Sequence, residues 1–156
     1  MRILLIALFA VLASPAFAQS WGDYDNARFG YVGGIPPDFS GYGESQGREG
    51  ETFDLAAKGQ VLSYWAEKLD GDLATTLAAS IGYAERDGWN ISYRVETPTW
   101  GGFEGINGLD RFYRHMIALC DGQNYAVMTV QYSALHAAEM KPVVDRLVEG
   151  FAATGC

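Results

Sequence analysis

The chain reads as an α+β domain, a mostly antiparallel sheet flanked by two helices. Three observations predict it. Apolar residues alternate in several short segments and recur at helical spacing in two others. The segments follow one another as strands, helix, strands, helix. Short glycine-bearing connections join neighbouring strands, as antiparallel partners require, so each helix must bury its apolar stripe on the sheet.

Residues 1–18 read as a signal peptide. Met1 and Arg2 make a positive start, residues 3–12 are an unbroken apolar run, and Ala16-Phe17-Ala18 offers small residues to a signal peptidase. The run falls short of the roughly 20 residues that span a bilayer. The mature chain is therefore expected to begin at Gln19, as a single domain over 19–156, periplasmic or secreted and not inserted in a membrane after cleavage. A composition of 49% apolar and 19% charged residues excludes disorder. Loss of Arg2 with the leader takes the net charge from -8 to about -9. That acidity repels phosphate backbones and argues against a nucleic-acid partner.

Residues 19–26 are polar and aromatic and are expected to form a surface arm. Residues 28–32 predict a short strand ended by Gly33-Gly34 and Pro36-Pro37, where a ladder cannot continue. Residues 39–51 are rich in glycine, serine and acids and read as a long exposed loop. Residues 52–56 and 60–66, joined by Ala57-Lys58-Gly59, predict a hairpin. Leu73, Leu77, Ile81 and Ala84 mark a helix over 73–87, with Asp70 or Asp72 capping its start and Gly88 closing it. Ile91, Tyr93 and Val95 alternate with Ser92, Arg94 and Glu96 in a half-buried strand that Pro98 ends. Residues 103–106 predict a short strand. Two longer ones, 111–120 and 124–132, flank the tight connection Asp121-Gly122-Gln123. The last helix is expected to begin near Pro142, which a first turn tolerates, with Val143 or Val144, Leu147 and Phe151 as its stripe.

Cys120 and Cys156 are expected to pair, since two thiols in a small exported domain usually do. In the chain-entropy model their loop of some 36 residues contributes roughly 4 kcal/mol.

Asn26-Ala27-Arg28-Phe29-Gly30-Tyr31, the following acidic loop leading to Thr52-Phe53, Ser92-Tyr93-Arg94, Trp100 and Gly105 before Phe112-Tyr113-Arg114, and the terminal Pro142-Val143-Val144-Asp145-Arg146-Leu147 segment with Phe151 resemble small exported bacterial proteins of unknown function. That group in turn resembles the PsbP-like α/β/α sandwich. The likeness covers nearly all the mature chain, and its motifs are hydrophobic and structural. Glu104 departs from the small hydroxyl residue expected there. The resemblance implies a fold whose members act mostly as accessory, chaperone or adaptor modules, and it transfers no catalytic residue.

The residues that carry chemistry are sparse. His115 and His136 show neither H-x-x-x-H nor H-x-E spacing, so no catalytic residue and no metal site is assigned. Asp23, Asp25, Glu44, Glu49 and Glu51 could ligate calcium, but the D-x-[DN]-x-[DN]-G loop is absent. Ser40, Ser45 and Ser80 lack a nucleophile elbow, and no phosphate loop or dinucleotide fingerprint calls for a cofactor. Trp21, Tyr24, Phe29, Tyr31 and Tyr42, with Glu44, form the best interaction candidate, because exposed aromatics anchor partners through large rigid contact area. The alternative is that these rings cap one edge of the core. The expectation is an exported, non-catalytic binding or accessory module acting through protein–protein contacts. The alternative is an acidic inhibitor or immunity-type protein, and a small hydrolase is the third class.

Overall fold

The computed structural model describes residues 20–156; the signal peptide expected over 1–18 lies outside the described residues. Ten strands and two helices succeed one another: β1 Gly22–Asn26, β2 Tyr31–Ile35, β3 Ser40–Gly41, β4 Gly50–Leu55, β5 Gln60–Lys68, α1 Leu73–Arg86, β6 Asn90–Glu96, β7 Trp100–Asn107, β8 Asp110–Ala118, β9 Asn124–Ser133, α2 Ala137–Gly150 and β10 Ala152–Ala153. Seven strands form one sheet in the order β3-β4-β5-β9-β8-β7-β6, and β1, β2 and β10 form a second, smaller sheet. Every strand pair is antiparallel. The predicted α+β class with two flanking helices is the class observed.

Two separate cores divide the large sheet diagonally. On one face Leu73, Leu77, Ile81 and Ala84 of α1 pack against Phe103, Phe112 and Met116 of β7 and β8. On the other face the small sheet and α2 cover β4, β5 and β9, where Tyr24, Tyr31, Leu147 and Phe151 meet Phe53, Leu62, Tyr64, Met128 and Val130. A period of two gives each strand both faces at once, so one sheet serves both layers. Each face keeps one half uncovered, and those halves become clefts.

Local chemistry explains the elements. The Asp72 carboxylate accepts a hydrogen bond from the Thr75 amide at 2.8 Å, which selects Asp72 over Asp70 as the cap of α1. The β4–β5 hairpin turns through a 3-10 segment, Ala56–Lys58, and Gly59 at φ +62°, a left-handed geometry that glycine adopts without steric cost.

Several boundaries differ from expectation for nonlocal reasons. Of the surface arm expected over 19–26, the described residues hold β1, Gly22–Asn26, instead. Tyr24 and Asn26 point inward from β1, which pairs with β2. The second strand runs over Tyr31–Ile35, through Gly33-Gly34 rather than stopping there. A Cβ at Gly33 would overlap the Tyr64 ring, whose hydroxyl donates to the Gly34 carbonyl at 2.7 Å. The expected loop over 39–51 contains β3 and the start of β4, and its tip is ordered by bonds from the Ser45 amide to the Gly50 carbonyl and from the Arg48 amide to the Ser45 carbonyl. The strand around 103–106 extends over Trp100–Asn107. The last helix starts at Ala137, after a 3-10 turn at Ala134–His136, and Pro142 sits inside it. The alternation in β6 is broken: the register shifts between Ile91 and Tyr93, a bulge that sends Ile91 to the α1 face and Tyr93 to the α2 face.

Cys120 and Cys156 are joined by a disulfide, with Cα atoms 5.2 Å apart. It ties the end of the chain beyond β10 to the segment following β8.

Candidate functional site

The sequence-predicted interaction residues do not form one patch. Tyr31 is fully buried and Tyr24 nearly so; their rings pack in a cluster with Phe53, Tyr64 and Phe151. Strand alternation decides this, because Tyr24 sits at the inward positions of β1. These two rings are core. Trp21 is half-buried beneath the Arg146 guanidinium at 4.4 Å, and Arg28 lies over the half-buried Phe29 at 4.8 Å. Tyr42 is 71% exposed and donates to Asp54 at 2.6 Å.

Of the five acids considered for calcium, the three glutamates have side-chain or backbone partners. Glu44 pairs with Arg48 at 3.2 Å, Glu49 with Arg28 at 3.4 Å and with the Ser45 hydroxyl at 2.6 Å, and Glu51 accepts from the Gly43 amide at 2.9 Å. The Ser45 bond, and then the Glu49 backbone, hold the Glu49 carboxyl below its ordinary range. The fully buried Asn26 pins this loop. Its amide nitrogen donates to the Tyr24 hydroxyl at 3.0 Å and to the Arg48 carbonyl at 2.9 Å, and its oxygen accepts from the Phe29 amide at 3.0 Å. Tyr31 adds a bond from its hydroxyl to the Glu49 carbonyl at 2.9 Å.

The histidines are separated by role. His115 is buried, with its ring stacked on Trp100 at 5.1 Å and edge-on to Phe151 at 6.1 Å, and its Nδ1 lies 3.4 Å from the Tyr113 hydroxyl. Burial pushes its pKa down, so it is neutral at pH 7. His136 faces Glu139 at 3.5 Å, which also pairs with Lys58.

A cleft of about 790 Å³ lies on the α2 face of the uncovered half sheet. Its floor comes from β6, β7, β8 and β9: Tyr93, Trp100, Glu104, Arg111, Tyr113 and Tyr132. Its wall is α2, through Lys141, Val144, Asp145 and Val148. The β6 bulge matters here, because an unbroken alternation would send Tyr93 to the opposite face. Glu104 and Arg111 form a half-buried ion pair at 3.1 Å, and Lys141 pairs with Asp145 at 2.7 Å. Arg111 Nε is buried and has no hydrogen-bond partner among the described residues. Burial, reinforced by Tyr93, Asp145 and Glu104, pushes the Tyr113 hydroxyl up to about 12, and burial also raises Tyr132. Both hydroxyls therefore stay protonated at neutral pH and can donate. The cleft offers flat aromatic surface, hydroxyl donors and one acid–guanidinium pair, the equipment of a binding groove for a polar chain.

The sequence reading missed this cleft. Tyr93, Trp100, Tyr113, Tyr132 and Arg111 come from four strands, and alternation alone shows only that Tyr113 shares a face with His115. Glu104 was visible as a departure from the expected pattern; its partner Arg111 was not. Among the described residues no helix is long and apolar enough to cross a membrane.

No family model matches the chain, and no curated protein does. Solved structures do. The chain is similar to cyanobacterial PsbP (CyanoP) from Synechocystis sp. PCC 6803 at TM-score 0.65 and 14% identity, covering 90% of this chain and 96% of that one. It is also similar to the Saccharomyces cerevisiae Ran-binding protein Mog1p at TM-score 0.61 and 11% identity, covering 87% and 96%. At such identities the likeness establishes the PsbP-like fold and nothing finer.

Proposed function

We propose that this PsbP-like domain is an exported, non-catalytic accessory module that holds an extended segment of a protein partner in the cleft between α2 and the β6–β8 half of the sheet. The observation that carries the reading is the cleft's lining. Aromatic rings on the floor supply large contact area at small entropic cost, and the Glu104–Arg111 pair supplies a directional polar anchor for a peptide backbone. The mixed charge of the α2 wall, Lys141 beside Asp145, favours a segment carrying both signs. That a structural neighbour is named as Ran-binding supports a protein partner in kind without identifying it. Tyr42 and Glu44, in the segment between β3 and β4, remain candidates for a secondary contact.

The test places a photo-crosslinking amino acid at Tyr93 and, as control, at the exposed Tyr83 of α1. A discrete adduct from position 93 alone, abolished by Val144→Arg, supports the cleft. Equal adducts from both positions, or none from 93, remove it. Export is tested by mass spectrometry of the mature chain, which should begin at Gln19. An intact Met1 on soluble material with both thiols free would remove that part.

A second reading, an acidic inhibitor of a basic extracytoplasmic enzyme or toxin, rests on the net charge of -8. It requires an association rate that falls steeply with salt, and salt-independent association rejects it.

A further inference from the structure

The opposite face of the sheet carries a second, chemically different groove, of about 570 Å³, between α1 and the uncovered β4–β5–β9 half. The pairing register lays four polar side chains in a single cross-strand row: Thr52 opposite Ser63, Ser63 opposite Thr129, and Thr129 opposite Arg114. Strands about 4.8 Å apart make this row about 14 Å long, three hydroxyls leading to one guanidinium. All four residues line the groove, together with the half-buried Trp65 one step along β5.

Arg114 is the unusual member. Its Nε donates to the Thr129 hydroxyl at 3.0 Å and one Nη donates to the Ser80 hydroxyl at 2.9 Å. Phe103 and Phe112 sit beneath it, 5.7 and 5.6 Å from the guanidinium carbon. A guanidinium has five N–H donors, and these two bonds leave three without a protein acceptor among the described residues. Among the described residues it has no ion-pair partner within 4 Å either. Burial lowers its pKa, and Tyr125 and Glu67 partly offset this from beyond ion-pair distance; the groups that touch the guanidinium are neutral hydroxyls and ring faces. Glu67, a carboxylate that also lines the groove, accepts from the Tyr125 hydroxyl at 3.1 Å. The Thr52 and Ser63 hydroxyls likewise have no protein partner among the described residues.

We infer that this groove binds an acidic saccharide, with a sugar carboxylate on the free fork of Arg114 and ring hydroxyls on Ser63 and Thr52. The planar fork matches a carboxylate's two oxygens, and hydroxyl side chains both donate to and accept from sugar hydroxyls. Trp65 supplies the flat apolar surface on which a pyranose ring packs. A dianion is disfavoured, because Glu67 and Asp70 share the groove with Arg114 and Lys68. This inference is independent of the α2 cleft, which lies on the other face of the sheet.

The test is titration of the 15N-labelled protein with D-glucuronate, D-glucose, acetate and glucose 6-phosphate, following the Trp65 indole and the Ser63 and Thr129 amides by NMR. Glucuronate is expected to shift these signals and to bind at least about tenfold tighter than each of the other three probes. Arg114→Gln is expected to weaken glucuronate binding by about tenfold or more. Because Arg114 also ties α1 to the sheet through Ser80, Ser63→Leu serves as the second variant. It blocks the row without touching Arg114, and should abolish binding while leaving the melting temperature unchanged. Failure of glucuronate to shift these signals at about 50 mM overturns the inference, as does undiminished binding by Ser63→Leu. Glucose or acetate binding as well as glucuronate overturns the saccharide-plus-carboxylate assignment, and tighter binding of the phosphate overturns the choice of carboxylate.

Discussion

Replacing Asn26 with alanine removes three hydrogen bonds from a side chain with no solvent exposure: two donated, to the Tyr24 hydroxyl and the Arg48 carbonyl, and one accepted from the Phe29 amide. Each such bond contributes about 1 kcal/mol net, and an orphaned buried group costs a further 1–3 kcal/mol, roughly. Water has little access to the vacated site, so the orphaned partners add to the three lost bonds and the expected loss is about 4–6 kcal/mol. For a chain of this size that lowers the melting temperature by about 12–18 °C. Asn26→Asp sharpens the test. It keeps the acceptor for Phe29 but loses both donors and sets a carboxylate against the Arg48 carbonyl. Its folded-state pKa should therefore rise above the ordinary carboxylate value near 4, and its penalty should be largest at neutral pH and shrink as pH falls through that raised pKa. Urea denaturation followed by circular dichroism at pH 7 and pH 5 measures both variants. Hydrogen exchange should show the amides of residues 45–49 losing protection first. A loss below about 1 kcal/mol for Asn26→Ala, or an Asn26→Asp variant as stable as wild type at pH 7, would refute the argument that this amide staples the loop to the small sheet.

Two further perturbations follow from the structure. His115 has its pKa lowered by burial, so the unfolded chain takes up a proton near pH 6.5 while the folded one does not; stability should be full above that value and fall as pH drops below it. His115→Phe should flatten this part of the stability–pH curve measured in urea, and an unchanged slope would show that another group causes it. Reducing the Cys120–Cys156 bond, or making the double change Cys120→Ala and Cys156→Ala, should cost about 4 kcal/mol, since the bond closes a 36-residue span. Identical denaturation midpoints with and without reductant would contradict that assignment of stability.

Much of the fold was legible because it is encoded locally. The stripe of α1 needs only the spacing of Leu73, Leu77, Ile81 and Ala84, its cap only the Asp72 carboxylate, and the β4–β5 hairpin only Gly59 between two alternating runs. Where local signals misled, a distant residue was the cause. Gly33-Gly34 read as a strand terminator, yet their missing side chains are what admit the Tyr64 ring. Residues 19–26 read as an exposed arm because their polarity is high, whereas pairing with β2 turns Tyr24 and Asn26 into the core. Pro142 read as a helix start, but α2 had already begun five residues earlier, at Ala137.

The candidate sites were the least legible part. Tyr31 and Tyr24 were chosen for their aromatic character, and composition cannot say on which side of a strand a ring lies. The bulge between Ile91 and Tyr93 leaves no mark in the alternation, yet it carries Tyr93 to the cleft face. Glu104 and Arg111 meet across neighbouring strands, and Thr52, Ser63, Thr129 and Arg114 share a row drawn from four strands.

The order of residues alone determined the class of the molecule, the two helices of its described residues and its tight turns, because each depends on periods and spacings within one segment. It also determined which cysteines had to meet, because there are only two. Register between distant strands decided everything that could hold a ligand, since a cleft exists only where side chains from separate segments converge. A one-residue slip reverses the face of every side chain beyond it, and only the packed sheet selects the slip.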